Sequence, residues 1–262
     1  MPLRICHLAS GSRGNATWVE AEGAALLVDC GLSGRTLAQR LAARGLEARR
    51  IAAVLVTHEH HDHIAGLGSF VNGHKVTLHM TRGTLRGSGR LAGAAGRRVV
   101  AGAPFAAAGL TITAVAVPHD ANEAVAYRIE GSGATALILT DLGDADDLPD
   151  RALSDLDYLL VEANHDEGLL RDGPYPPCLK RRIAGSLGHL SNTQCGDLLA
   201  RIVPLSPRLR LVTLGHLSGT NNDAALAVAT VWARLEARLG GRPPLVLGVA
   251  RQSEPGEVLT VG

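Results

Sequence analysis

Thr57-His58-Glu59-His60-His61-Asp62-His63 comes directly after the apolar run Ile51-Ala52-Ala53-Val54-Leu55-Val56. An apolar run of that length reads as a buried strand, and the histidine-rich stretch behind it reads as a tight loop. Such a loop can turn His58, His60, Asp62 and His63 into one small volume. Imidazole and carboxylate are the ligands of borderline divalent metals such as Zn²⁺. A histidine-rich surface loop or the remnant of a tag does not fit an internal run set behind a strand.

The 262 residues fit one large α/β domain, expected to span 1–262. Apolar residues make up 46%, enough for a substantial core, while aromatics at 3% argue against a surface of many base-stacking platforms. The net charge of +1 does not announce a polyanion partner, but its distribution is uneven. Between His63 and His119 there is no acid, and Lys75, Arg82, Arg86, Arg90, Arg97 and Arg98 are basic. From Asp141 to Asp172 eleven acids face only Arg151 and Arg171. A basic flank beside the metal loop is suited to receiving an anion.

Cys6, Cys30, Cys178 and Cys195 form no CxxC pair, which points to reduced, partly buried thiols. The start Met-Pro-Leu-Arg-Ile-Cys has no signal-peptide core, and no apolar run has the length of a membrane span. The expectation is a soluble, cytoplasmic protein with no membrane partner.

In chain order, residues 3–8, 16–21 and 24–28 read as three short strands in a meander, with the Gly/Ser loop 9–15 as a tight turn. Ser33 is a plausible N-cap for a helix to Arg44, closed by Gly45. A short helix is expected from His63 to Phe70 and a strand over 75–79. Glycines at 83, 87, 89, 93 and 96 weaken any helix over 81–96, which reads as a mobile, positive segment. Strands are expected over 110–117, 124–129, 134–140, 158–161, 209–214 and 245–249, helices over 192–202 and 221–239, and a loop over 171–177.

One pattern recurs. His58, His119, Asp141, Glu162 and His216 each come after the C-terminal end of an apolar strand. In layered α/β folds that edge is where sites are built, because strands are rigid and their ends face solvent.

The spacing His-x-His-x-Asp-His, joined by these strand-end residues, resembles the metallo-β-lactamase fold, a superfamily of binuclear hydrolases, over nearly the whole chain. The resemblance implies a four-layered αββα sandwich of α/β class. Asp29 corresponds to the acid that braces the metal loop. His58, His60, His119 and Asp141 correspond to the ligands of one ion. Asp62, His63, His216 and the shared Asp141 correspond to those of a second. The implied cofactors are two divalent ions, Zn²⁺ or Mn²⁺, with a bridging hydroxide as nucleophile. Two such ions, two carboxylates and a hydroxide leave about one net positive charge, which suits a singly charged phosphodiester.

Gly188-His189-Leu190-Ser191-Asn192, with Glu162-Ala163-Asn164 before it, is similar to the phosphate-contacting histidine motif of nucleases in this superfamily and its paired acid. The resemblance implies a Glu162–His189 pair in which His189 protonates the leaving 3′-oxygen, with Asp62 also catalytic. The motifs Leu-Ala-Ser-Gly-Ser-x-Gly-Asn, Glu-Ala-Asn-His-Asp, Gly-Pro-Tyr-Pro and His-Leu-Ser-x-x-Asn-Asn resemble the bacterial YycJ/WalJ-like branch. That branch implies a hydrolase of nuclease type, a 5′→3′ exonuclease on DNA with a role in DNA repair. Only 47 residues separate Asp141 from His189, so no further domain is inserted there. Candidate substrate contacts are Asn164, His165, Lys180, Arg181 and Ser191, with the basic stretch 82–98 and Arg182 beside them. A homodimer is compatible with this reading. The alternative is a small-molecule hydrolase of the same fold, acting on a thioester, lactone or cyclic phosphodiester. A di-iron redox or non-catalytic relative is disfavoured by His60, where such relatives carry Glu, and by the complete ligand set.

Overall fold

The structure is a computed structural model that describes residues 2–89 and 96–262. Its strands are β1 (Leu3–Ala9), β2 (Ala16–Ala21), β3 (Ala24–Val28), β4 (Ile51–Leu55), β5 (Thr77–Met80), β6 (Gly96–Arg98) and β7 (Pro104–Ala107). They continue as β8 (Leu110–Ala116), β9 (Val125–Gly131), β10 (Ala134–Leu139), β11 (Tyr158–Glu162), β12 (Leu211–Gly215), β13 (Val246–Val249) and β14 (Leu259–Val261). The chain forms two compact units, one of Met1–Ala116, Ala121–Thr135 and Ala250–Gly262, the other of Val117–Asp120 and Ala136–Val249.

In the first unit a seven-stranded sheet runs β14-β1-β2-β3-β4-β5-β6. The pairs from β14 to β3 are antiparallel and those from β3 to β6 are parallel. The parallel register sets Val28 opposite Leu55, so the residues just after β3 lie beside those just after β4. Trp18, Leu27, Val54, Leu67 and Phe70 are among the buried side chains that pack one face of this sheet. The helix Gly34–Ala42 is capped by Ser33, whose side chain accepts from Thr36 N–H. β7, β8 and β9 form an antiparallel meander in the same unit. Val125 N–H donates to Thr57 O at 3.1 Å, and the buried Tyr127 hydroxyl to Val56 O at 2.8 Å. The backbone just after β4 is thereby held by β9.

In the second unit β10, β11, β12 and β13 are all parallel. Leu139 pairs with Val161, and Glu162 with Gly215, so residues 141, 162 and 216 are brought to one edge. Such strands are buried on both faces and read as continuous apolar runs, as 158–161 does.

Several elements differ from the sequence reading. The segment expected to be broken contains a helix, Arg82–Gly87, because Thr81 caps it by accepting from Thr84 N–H. Arg90 and Gly93 lie outside the described residues. The helices Glu167–Asp172 and Pro177–Ile183 run into the stretch 171–177 expected to be loop, at Arg171, Asp172 and Pro177. Asp166 caps the first, and Pro177 opens the second at the one helical position whose missing N–H costs nothing. Among the described residues no helix is long and apolar enough to cross a membrane. Cys6, Cys30 and Cys195 are buried, Cys178 is exposed, and all four are free thiols.

His7 on β1 makes a cross-strand contact of 3.0 Å to Thr17 Oγ1, and burial pushes its pKa down to about 4. In the unfolded chain it titrates near 6.5. Between these values unfolding takes up a proton, so stability present at neutral pH is lost as pH falls from about 6.5 towards 4, by about 3 kcal/mol in all. Urea midpoints measured with chelator present should fall over that window in the wild type. His7→Gln should flatten this acid limb.

Candidate metal centre

In the first unit the site is built outward from Asp29, the residue after β3. It sits in the left-handed region at φ 62°, and its N–H donates to Leu55 O at 2.8 Å. Its carboxylate accepts from Thr57 N–H at 2.8 Å and from the Thr57 hydroxyl. It also lies 2.8 Å from His63 Nδ1. A carboxylate with no proton can only accept, so His63 Nδ1 carries the hydrogen and Nε2 carries the lone pair. Thr57 has spent its own hydroxyl proton on Asp29, so at 3.0 Å it accepts from His58 Nδ1. One carboxylate thus sets the tautomer of two imidazoles, directly at His63 and through Thr57 at His58. The His58 ring lies 4.5 Å from the His60 ring and 4.1 Å from that of His63, centre to centre.

The backbone of the loop is clamped as well. Asn15 N–H donates to Asp62 O at 2.8 Å, Cys30 N–H to His63 O at 2.9 Å, and Gly66 N–H to Cys30 O at 2.9 Å. A Cβ added at Gly31 would lie 1.7 Å from Asp62 O, so only glycine lets the chain pass there. The Asn15 side chain reaches Asp62 Oδ2 at 3.2 Å and His63 Nε2 at 3.0 Å. Sequence reasoning misses Asn15 and Thr57 as site residues. The Gly-Asn ending of the 9–15 turn is the one signal that could have found Asn15.

The second unit repeats the design around Glu162, which is wholly buried at the end of β11. Its Oε1 lies 2.7 Å from His189 Nδ1 and 2.9 Å from His216 Nδ1. Its Oε2 accepts from Leu142 N–H at 3.0 Å. Asp141 Oδ1 is 3.1 Å from His216 Nδ1 and 3.7 Å from His189 Nδ1. His119 Nδ1 lies 3.0 Å from Gly188 O, a carbonyl that can only accept. Asp141 and His216 both occupy the left-handed region, at φ 58° and 52°. Strained backbone of this kind persists only where its surroundings hold it in place.

Burial alone would raise the Glu162 pKa, but the neighbouring His189 and the two imidazole hydrogen bonds outweigh it and hold the carboxyl at about 2. Burial also works to lower His189, and the charge and hydrogen bond of Glu162 reverse it, leaving that imidazole above its ordinary value. His119 and His165 are pushed below theirs, chiefly by burial.

The candidate substrate contacts divide. Asn164 donates its Nδ2–H to His216 O at 2.9 Å, and its own carbonyl accepts from Ser218 N–H at 2.8 Å. It therefore braces the strained turn that carries His216. Ser191 caps the helix Asn192–Leu205 in a capping box, and its hydroxyl contacts Glu167 Oε1 at 2.9 Å. Lys180 donates to Arg171 O at 2.7 Å, and Arg182 pairs with Asp120 at 2.5 Å. His165 and Arg181 line a cavity. Sequence alone gives no sign that Glu162 serves His216 as well as His189.

The donor chemistry fits divalent metal ions. Four imidazoles, His58, His63, His119 and His216, each have Nδ1 engaged by an oxygen of the protein, which leaves Nε2 as the donor nitrogen. Ligating histidines are oriented in this way. Within the second unit Asp141, Glu162, His189 and His216 each offer an atom within 4.8 Å of the others.

A strand-end set of histidines and carboxylates, carried on sheets with parallel strands, matches one class of known proteins. The chain belongs to the β-lactamase superfamily: the family described as "Beta-lactamase superfamily domain" matches residues 25–209. Among its relatives is "Exodeoxyribonuclease WalJ" of Streptococcus pneumoniae serotype 2 (strain D39 / NCTC 7466), 35% identical over 230 residues, which are 86% of this chain and 85% of that protein. "Exodeoxyribonuclease YycJ" of Bacillus anthracis is 30% identical over 240 residues, 90% of each chain. In solved structures the fold is matched by the metallo-β-lactamase fold protein YhfI from Bacillus subtilis, at a TM-score of 0.71 and 17% identity over 98% of this chain and 99% of that one. The fold class is therefore α/β, the αββα sandwich of the metallo-β-lactamase fold.

Removing the brace should loosen the loop it orients. Asp29→Ala is expected to weaken Zn²⁺ binding about 10–100-fold in a chelator competition, the usual worth of such an outer contact. Affinity unchanged in a folded variant would contradict the orienting role of Asp29.

Proposed function

We propose that this chain is a binuclear metal-dependent phosphodiesterase acting as a 5′→3′ DNA exonuclease, and that residues 1–262 work as a single metallo-β-lactamase-fold domain. The observation that carries the reading is the 2.7 Å contact between buried Glu162 and His189, an acid–imidazole pair beside the carboxylate of Asp141. The relatives whose names specify an exodeoxyribonuclease support the substrate class.

In this proposal His58, His60, His119 and Asp141 hold one divalent ion. Asp62, His63, His216 and the shared Asp141 hold the other, with Zn²⁺ or Mn²⁺ as the metal. When bound, such a pair lowers the pKa of water towards about 7 and neutralises charge developing on the phosphoryl oxygens. Asp62 orients the attacking water in addition to ligating. Glu162 holds the His189 Nδ1–H, so Nε2 faces outward and delivers its proton to the departing 3′-oxygen. Asp29 keeps the loop ligands aligned, Asn164 and Ser191 stiffen the neighbouring turns, and His165 and Arg181 meet the substrate. A cytoplasmic role in DNA repair goes with this reading.

His189→Ala should retain its metal and lose about 10²–10⁴ in kcat on DNA, the usual range for a general acid. On a phosphodiester with a nitrophenolate leaving group, which needs no proton, the loss should shrink to less than about tenfold. Equal losses on both substrates would remove His189 from that role. The reading as a whole is tested on end-labelled single-stranded DNA with Mn²⁺ or Zn²⁺ added: release of mononucleotides from the 5′ end supports it. An intact strand, with turnover of a thioester or lactone instead, would overturn it.

A further inference from the structure

Beyond Glu162 the chain runs alongside the segment that carries His189. Asn164 N–H donates to Leu190 O at 2.9 Å, His165 bridges Ser191 in parallel, and Asn192 N–H donates to His165 O at 2.9 Å. Three residues of chain separate Glu162 from His165, a reach of at most about 10 Å. There His165 lines a cavity of about 350 Å³. Leu170, Pro177 and Ala184 give the cavity an apolar wall, and Arg181 stands at it as an exposed cation.

Charges around this cavity are unequal in what they can offer. Glu167 accepts from the Ser191 hydroxyl at one carboxylate oxygen, Arg171 is paired with Asp172, and Lys180 donates to Arg171 O. Arg181 makes no ion pair among the described residues. His165 is 2% exposed, and its Nδ1 has no hydrogen-bond partner among the described residues. An apolar wall, an imidazole with a polar atom to satisfy and an exposed guanidinium with no ion pair together suit a planar, polar-edged ring that carries an anionic group.

We infer that this cavity holds the departing nucleotide of the DNA substrate, with its base against Leu170, Pro177 and Ala184, and its phosphate on Arg181. The inference rests on the nuclease reading in one respect: His189 protonates the departing oxygen, so the departing nucleotide lies on the His189 side of the scissile bond. The cavity is lined by His165, three residues beyond the Glu162 that holds His189. Packing on such an aliphatic wall tolerates any base, because each presents a flat apolar face.

The test is equilibrium binding of thymidine 5′-monophosphate, thymidine and inorganic phosphate to the metal-loaded protein. The nucleotide should bind at least about tenfold more tightly than phosphate, the worth of burying about 55 Å² of apolar surface. Ala184→Trp, which fills the cavity from its exposed edge, should remove that advantage and leave phosphate affinity within about twofold. Arg181→Ala should bring the nucleotide close to thymidine and serves if the Trp variant does not fold. A nucleotide that binds no better than phosphate, or both variants binding it as the wild type does, would overturn the assignment. Nucleotide bound as expected by a protein that leaves DNA intact would reject the nuclease reading and keep the cavity.

Discussion

A buried carboxylate shared between two imidazoles is the interaction on which the rest depends. Asp29 fixes His63 directly and His58 through Thr57, and Glu162 fixes His189 and His216 with a single oxygen. Burying a charge is costly unless several donors meet it, and each of these acids has backbone N–H donors as well as imidazoles. What the arrangement gains is direction. A carboxylate that can only accept forces the hydrogen onto Nδ1, and Nε2 becomes the nitrogen that faces a metal ion or a substrate.

Parallel strands explain why one acid can serve two histidines. They bring like ends together, so Asp29 lies beside the residues after β4, and Asp141, Glu162 and His216 line one edge of the four parallel strands. Side chains there can converge only if the chain turns sharply, and Asp29, Asp141 and His216 do so in the left-handed region. Each such residue costs on the order of 1–3 kcal/mol, offset by the hydrogen bonds that hold it. For His216 the Asn164 side chain supplies one of them. Glycine at 31 has the same origin: the loop passes so close that no side chain fits.

Much of this is legible in the sequence because its signals are local. An apolar run ending in a histidine or acid marks a strand end, and 58–63 packs four candidate ligands into one turn. The Glu162–His189 contact is reached through resemblance, since nothing local links residues 27 apart. The second duty of Glu162, and the use of Asn164 and Ser191 as braces, arise from the register of β11 against β12 and against 188–192. No window of sequence encodes that register. The helix Pro177–Ile183 is hidden for another reason: the prolines at 174, 176 and 177 read as loop, while Pro177 stands where a helix begins.

The central claim is that acceptor oxygens set four imidazoles to one tautomer before any ion binds. The most direct measurement is the ¹⁵N spectrum of the histidine side chains, taken without metal and again with Zn²⁺. The account predicts protonated Nδ1 and donor Nε2 at His58, His63, His119 and His216 in both states. Nδ1 coordination, or a proton on Nε2 at any of these four without metal, would contradict it.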